Sequence, residues 1–183
     1  MKVGTMMNPN VEAVQADDDL AKTAMVMWRK DCGFVPVLDA DRVVGVITDR
    51  DICMASATKH EAPEEMKVRD TMASQVWSVR TEDEIESALG MMRERQVHRL
   101  PVLDDSERLA GVIAFSDIVR MASQDGRVRS IGDHDLVTAY RTIKTPRAGQ
   151  ADLADAAAAS IPLARRGDPS DIANAALFLL SDL

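Results

Sequence analysis

The chain has 183 residues, of which 46% are hydrophobic and 28% charged, and this balance predicts a folded, water-soluble protein rather than a disordered one. Its formal net charge of −8 disfavours nucleic acid or an anionic membrane as a partner, since both attract a basic surface. No apolar run approaches the ~20 residues that are needed to cross a bilayer.

The cysteine content indicates the compartment. Cys32 and Cys53 form neither a CxxC motif nor a disulfide framework, which is typical of a reducing environment. The chain begins with patterned sequence rather than a signal peptide, so we expect a cytoplasmic protein. The histidines and cysteines are scattered without metal-ligand spacing, and we therefore expect no metal site.

The first predicted elements alternate between strand and helix. Val11 and Val14 indicate a short strand, and an acidic cluster then opens a helix, where carboxylates stabilise the positive end of the helix dipole. Leu20, Ala24 and Met27 follow the spacing of one helix face. Two apolar strands, FVPVLD and VVGVIT, are joined by a polar turn, and a second helix begins within TDRDI.

The same order of elements then returns. Met7 and Met72 begin the two copies at an offset of 72 − 7 = 65, and Gly45 and Gly111 lie 111 − 45 = 66 apart because one turn gains a residue. Each copy is therefore a β-α-β-β-α unit. A unit of this size exposes one face of a small sheet and is marginal alone, so we expect the two copies to pack together.

These repeats resemble a tandem pair of CBS domains, sometimes called a Bateman module. The resemblance rests on the VPVLD and LPVLD strands and on the GVITDRDI and GVIAFSDI segments, and it covers residues 2–123. It implies an α+β fold in which two β-α-β-β-α repeats form a pseudo-twofold pair, here with additional C-terminal helices. It also implies clefts between the repeats, a tendency to bind adenine nucleotides, and assembly as a homodimer.

Two explanations compete for the repeated aspartate. Thr48 and Asp51 have the spacing of a helix capping box, in which the threonine caps the helix and the aspartate bonds back. The resemblance implies instead that the carboxylate binds ribose hydroxyls. In the second copy Ala114 replaces the threonine, yet Asp117 is retained beside Ser116. If capping were the whole explanation, this loss should have released the aspartate, and we therefore favour ribose binding.

Positive charge for a phosphate is offered by His98 and Arg99, just before the proline-containing strand of the second copy, where the first copy has Gly33 and Phe34. The alternative is that Arg99 pairs with surface acids and His98 occupies a turn. In the predicted ligand site, Asp51 and Asp117 bind the ribose, and Thr48 and Ser116 lie at the ribose–phosphate edge. His98 and Arg99 bind the phosphates, and Val35 and Leu100 form the wall of the base.

The end of the chain departs from the repeat. Leu136, Tyr140 and Ile143 predict a flanking helix, and the last stretch resembles the C-terminal end of a short-chain dehydrogenase. Tyr140 and Lys144 even have the spacing of that family's catalytic pair, but the glycine-rich nucleotide turn is missing. We expect an amphipathic docking helix there instead. We expect two repeats at residues 2–60 and 66–123, a flanking helix at 124–144, and a linker with an amphipathic helix at 145–183.

Three functions follow, in order of preference. The first is a non-enzymatic regulatory module that requires no cofactor, senses AMP, ADP, ATP or a related adenosyl ligand between its repeats, and modulates its own oligomer or an unidentified protein partner. The second is an interaction or scaffold module whose clefts are vestigial. The third is an NAD-dependent oxidoreductase, which only the tail supports.

Overall fold

The computed structural model describes residues 1–125 and 131–145 of the chain. Each repeat forms one three-stranded sheet and two helices, and a further helix follows the second repeat. The first repeat contains β1 (Val14–Gln15), α1 (Leu20–Lys30), β2 (Phe34–Asp39), β3 (Arg42–Thr48) and α2 (Asp49–Thr58). The second contains β4 (Val79–Arg80), α3 (Ile85–Arg95), β5 (Arg99–Leu103), β6 (Leu109–Ala114) and α4 (Phe115–Asp125), and α5 spans Asp133–Lys144.

The two sheets share one topology. In the first, β1 runs parallel to β2 and β2 runs antiparallel to β3; β4, β5 and β6 repeat this arrangement. The first strand is shorter than predicted, because Val11 lies outside β1. The acidic start of α1 is confirmed, since the Asp19 side chain caps the helix by accepting a hydrogen bond from the Lys22 N–H at 2.7 Å.

The hydrophobic residues form two clusters, one for each repeat. The cluster of the first repeat surrounds Leu20, Val35 and Ile47, and that of the second surrounds Ile85, Leu100 and Ile113. Each cluster also contains residues from the N-terminal segment of the other repeat, ahead of its first strand. Val3 and Met6 belong to the cluster of the second repeat, whereas Met66 and Val68 belong to that of the first.

The N-terminal segment of each repeat, ahead of its first strand, therefore packs on the opposite repeat. In the first repeat, the N–H of Gly4 donates to the carbonyl of Thr81 at 2.9 Å. Asn8 and Val112 then exchange two backbone hydrogen bonds, of 2.8 and 3.0 Å. This short ladder attaches the N-terminal segment to the edge strand β6.

The N-terminal segment of the second repeat makes the equivalent contacts with the first repeat. The N–H of Arg69 donates to the carbonyl of Ala16 at 3.0 Å, and Val46 and Ala73 exchange backbone hydrogen bonds of 3.1 and 2.9 Å. The residues of this ladder are the counterparts of those in the first ladder, since Ala73 matches Asn8 and Val46 matches Val112 in the duplicated sequence. The two repeats therefore exchange their N-terminal segments symmetrically.

The β2–β3 and β5–β6 hairpins supply a further contact between the repeats. Arg42 and Arg108 form an antiparallel bridge, and Glu107 lies between two arginines. Its carboxylate is 2.7 Å from the Nη2 atom of Arg80 and 3.8 Å from the Nη1 atom of Arg42. These side chains are partly exposed, so the ion pairs contribute little to stability on their own.

The flanking helix α5 packs on the helices of the second repeat. Leu136, Ala139 and Ile143 are buried in that repeat's hydrophobic cluster. The rings of Tyr140 and Phe115 lie with their centroids 6.2 Å apart. Across residues 1–125 and 131–145, no helix combines the length and the apolar character that crossing a bilayer requires.

Gly111→Ala should destabilise the fold more than its counterpart Gly45→Ala. A Cβ atom at Gly111 would lie 2.5 Å from the Asn8 carbonyl oxygen, which cannot move without disturbing the ladder with Val112. At Gly45 the Sδ atom of the flexible Met72 side chain would have to yield first. We expect Gly111→Ala to lower the free energy of unfolding by about 1–3 kcal/mol, measured by urea denaturation.

Gly90→Ala provides the matched control. This glycine is inside α3 and a Cβ atom there would meet nothing within 4 Å, so the substitution should stabilise the protein by about 0.5–1 kcal/mol. Equal effects of the Gly111 and Gly90 substitutions would contradict the close approach of the exchanged segment.

Candidate functional site

The start of α2 is held by a complete capping box. The Asp51 Oδ2 atom accepts hydrogen bonds from the Thr48 N–H at 2.8 Å and from the Thr48 hydroxyl at 2.7 Å. The Asp51 N–H in turn donates to the Thr48 Oγ1 atom at 3.3 Å. The capping explanation is therefore confirmed for these two residues. The other carboxylate oxygen, Oδ1, accepts no hydrogen bond from the described residues.

The second copy keeps half of this arrangement. The Asp117 Oδ2 atom accepts a hydrogen bond from the Ala114 N–H at 3.0 Å, which needs no side-chain hydroxyl. The argument that losing the threonine should release this aspartate is therefore wrong, because the aspartate caps through the backbone. The Asp117 Oδ1 atom also accepts a hydrogen bond from Arg120 at 2.9 Å. A ribose at Asp117 would have to displace Arg120, whereas at Asp51 it would not. Ser116 lies beside Asp117 and is exposed.

The predicted phosphate residues lie where β5 meets α4. The His98 carbonyl accepts a hydrogen bond from the Phe115 N–H at 2.8 Å, and Arg99 is exposed and pairs in register with Ala114. Partial burial lowers the pKa of the His98 imidazole, and the positive charges of Lys144 and Arg99 lower it further. The positive charges of Arg99 and Lys144 therefore act on His98 and favour its neutral form, and the sequence analysis had not anticipated Lys144.

The two residues predicted to wall the base are core residues. Val35 and Leu100 have no exposed surface, and their side chains lie in the two hydrophobic clusters. This follows from the alternation of side chains along β2 and β5, each of which buries its apolar residues against helices. In this structure neither residue offers surface to a bound base.

The dehydrogenase-like pair takes part in packing. Tyr140 and Lys144 lie one turn apart on α5, where Tyr140 contacts Phe115 and Lys144 approaches His98. The docking helix predicted within 145–183 lies outside the described residues. Within the described part of the chain, no group of three or more His, Cys, Asp or Glu side chains is arranged to hold a metal ion.

A groove that the sequence analysis missed lies on the helical face of the first repeat. This α1/α2 groove has a volume of about 490 Å³, and its lining includes Met27, Trp28, Asp31, Asp49 and Ile52. A second groove, of about 660 Å³, lies between α3 and α5. Neither groove is lined by Thr48, Asp51 or the other predicted ligand residues. The signal in the sequence is the tryptophan at position 28, where the second copy has Arg93.

Comparison with known proteins connects these features to a family. The family model for the CBS domain matches the chain twice, at residues 3–58 and 68–123. Inosine-5'-monophosphate dehydrogenase of Methanocaldococcus jannaschii is 33% identical over 147 residues, which cover 74% of this chain and 28% of that enzyme. Hypoxic response protein 1 of Mycobacterium tuberculosis is 28% identical over 144 residues, which cover 78% of this chain and 94% of that protein.

Solved structures share the architecture. Hypoxic Response Protein I with two coordinated zinc ions has a TM-score of 0.60 at 30% identity, covering 66% of this chain and 98% of that one. CBSX2 in complex with AMP has a TM-score of 0.60 at 26% identity, covering 69% and 98%. The CBS domain pair of protein MJ0100, in complex with 5'-methylthioadenosine and S-adenosyl-L-methionine, has a TM-score of 0.60 at 20% identity, covering 66% and 94%. These matches confirm the predicted fold class.

Thr48→Ala should destabilise the protein, whereas Ser116→Ala should not. Removing the Thr48 hydroxyl leaves the start of α2 without its side-chain cap, and such losses cost about 1 kcal/mol. Ser116 is exposed at the equivalent helix start, and its substitution should change the free energy of unfolding by no more than ~0.5 kcal/mol. Chemical denaturation measures both, and equal losses would contradict the asymmetry of the two helix starts.

His98 should make stability depend on pH in the weakly acidic range. Because its pKa is lower in the folded state than the ordinary 6.5, the unfolded chain binds the proton more readily, so stability falls as the pH decreases through 6.5. Lys144→Gln should raise the pKa of His98, measured by NMR titration of the imidazole. Lys22→Gln, an equal change of charge in the first repeat, is the control and should leave it unchanged.

Proposed function

Because the chain belongs to the CBS domain family, we propose that it is a regulatory module, not an enzyme, and that it binds an adenosine-containing ligand in a cleft between its two repeats. The observation that carries the proposal is the geometry of Asp51. One of its carboxylate oxygens is fixed by the capping box and the other accepts no hydrogen bond from the described residues. A carboxylate held in this way is pre-organised to accept a ribose hydroxyl.

Similar proteins support the class of ligand. CBSX2 binds AMP, and the CBS pair of MJ0100 binds 5'-methylthioadenosine and S-adenosyl-L-methionine. Adenine and a ribose with free 2'- and 3'-hydroxyls are the part that these three ligands have in common. We therefore assign the ribose to Asp51 in the first repeat, with the Thr48 hydroxyl at the ribose–phosphate edge.

A phosphate-bearing ligand would find its positive charge in the second repeat. His98, Arg99 and Lys144 lie near one another there, whereas the first repeat has Gly33 and Phe34 in place of His98 and Arg99. Such a cluster attracts phosphate, particularly when a nearby anion favours the protonated form of His98. We propose that Asp117 and Ser116 border this second site and that a ribose there competes with Arg120.

Binding becomes regulation when a ligand has unequal affinity for two states of the protein. We propose that these states differ in how the module contacts a second copy of itself or a protein partner. Several large hydrophobic side chains are exposed on the first repeat and are suited to such contacts. The free thiols of Cys32 and Cys53 fit a cytoplasmic location, which we retain as part of the proposal.

The alternative is an interaction module with vestigial clefts. It is favoured by the capping role of both aspartates, which explains their presence without a ligand, and by the contact between Asp117 and Arg120. The two functions differ in one measurable property. An interaction module gives no saturable thermal shift or heat of binding with AMP, ADP, ATP, NAD or S-adenosylmethionine.

The oxidoreductase remains the least supported function. Tyr140 and Lys144 are engaged by the second repeat, and the match to inosine-5'-monophosphate dehydrogenase covers only 28% of that enzyme. Turnover in a hydride-transfer assay with NAD would restore this function.

The role of Asp51 is tested by pairing a ligand change with a protein change. Isothermal calorimetry should show that AMP binds the wild-type protein at least tenfold more tightly than 2'-deoxy-AMP, a difference of about 1.4 kcal/mol. Asp51→Asn keeps one acceptor for the capping box but loses the charged diol acceptor, so it should bind the two ligands alike.

Asp49→Asn is the matched control, because it removes the same charge from the neighbouring aspartate, which lines the α1/α2 groove. This variant should retain the wild-type preference for AMP. If Asp51→Asn keeps the full preference for AMP, the ribose is held elsewhere and the assignment of Asp51 is wrong.

A further inference from the structure

The C-terminal half of α5 lies against the two chain segments that carry the residues proposed for the second ligand site. The Gln96 Nε2 atom donates a hydrogen bond to the Thr142 carbonyl at 3.0 Å, and His98 follows Gln96 by two residues. The Tyr140 ring lies 6.2 Å from that of Phe115, the first residue of α4. One helix therefore contacts both the segment that leads into β5 and the start of α4.

These contacts determine where the end of α5 lies. Ile143 is buried in the hydrophobic cluster of the second repeat, and the Phe115 N–H donates to the His98 carbonyl at 2.8 Å. Lys144 follows Ile143 directly, so its backbone cannot leave this surface without uncovering that side chain. The Lys144 side chain is exposed, and its positive charge helps to lower the pKa of the His98 imidazole. The end of α5 therefore brings a cation to a residue predicted to bind phosphate.

Arg99 and Lys144 lack an acidic partner. Elsewhere in the second repeat, Arg108 and Arg120 lie 3.1 and 2.9 Å from a carboxylate oxygen. Across residues 1–125 and 131–145, neither Arg99 nor Lys144 forms an ion pair with a carboxylate. Two cations that act on His98 without a counter-charge disfavour its protonated form, and an anion bound beside them would offset this cost. The missing partner is therefore an anionic group.

The first repeat differs at the equivalent position. Gly33 and Phe34 replace His98 and Arg99, and a Cβ atom at Gly33 would lie 2.7 Å from the Asp49 carboxylate. Within the described residues, α5 has no counterpart in the first repeat. A carboxylate thus stands where the second repeat has basic groups, and it disfavours phosphate there.

We propose that Lys144 is a phosphate-binding residue of the second ligand site, where its ammonium group and the Arg99 guanidinium hold the phosphate of an adenine nucleotide. This inference rests on the proposed function and extends it in two ways. It assigns phosphate-bearing ligands to the second repeat, and it makes the end of α5 part of the ligand site. A bound phosphate therefore holds α5 on the second repeat, whereas adenosine does not.

AMP and adenosine are the probes, because they share the base and the ribose and differ only in the phosphate. In isothermal calorimetry with the full chain, Lys144→Gln should weaken AMP binding by about tenfold, since it removes a charge-assisted contact, and leave adenosine binding unchanged. Lys144→Arg keeps the charge and should bind AMP as the wild type does. Lys22→Gln, an equal change of charge in the first repeat, is the control and should leave both affinities unchanged.

Hydrogen exchange reports on the helix itself. AMP should slow amide exchange in the last turn of α5 in the wild-type chain, adenosine should not, and Lys144→Gln should abolish the effect of AMP. A merely structural role, in which Lys144 stabilises the C-terminal end of the helix dipole, would change the exchange without ligand. It would not distinguish AMP from adenosine.

Three results would overturn the inference. Unchanged AMP affinity in Lys144→Gln would show that the phosphate is held elsewhere, and an equal loss of AMP and adenosine affinity would show that the residue acts through the fold. Both leave the proposed function standing. If neither compound binds the wild-type chain, the proposed function fails and this inference fails with it.

Discussion

Two short backbone ladders, between Asn8 and Val112 and between Ala73 and Val46, hold the pair of repeats together. Each ladder attaches the N-terminal segment of one repeat to the edge strand of the other. The same segments contribute buried residues, Met6 to one cluster and Met66 to the other. Neither repeat therefore completes its hydrophobic core with its own contiguous sequence. A Cβ atom at Gly45 would meet the Sδ atom of Met72, and one at Gly111 would meet the Sδ atom of Met7, so each glycine leaves room for the methionine of the other copy.

The sequence was sufficient to predict the helices and strands, because the spacing of their apolar residues and the offset between the two copies can be read directly from it. The helix faces of Leu20 and Met27 and of Ile85 and Met92 are buried as their spacing indicates. The exchange of segments was not predictable, because a pattern of apolar residues does not indicate which of two nearly identical sheets the segment joins. The approach of Lys144 to His98 was hidden for a related reason, since it depends on where α5 packs.

The site illustrates a different limit. A carboxylate at the third position of a helix can satisfy the backbone at the helix start and can also bind a ligand, and both roles demand the same residue at the same spacing. Only the individual hydrogen bonds distinguish the two copies. Asp117 uses both carboxylate oxygens within the fold, whereas Asp51 uses one. Val35 and Leu100 lie beside the predicted site in the sequence, yet both are completely buried. Alternate residues of a short strand face opposite directions, so a residue next to a site in sequence can face the core.

The exchanged segments also suggest how such a chain could have arisen. Exchange of identical segments between two protomers is a simple route to a symmetric dimer. An ancestor with a single repeat could have paired in this manner, each protomer lending its N-terminal arm to its mate. Gene duplication and fusion would then have required only a connection between the existing subunits, with every interior contact already in place. Once fused, the halves were free to diverge, and within the described residues the helix α5 covers part of the second half while the first half has no counterpart of it.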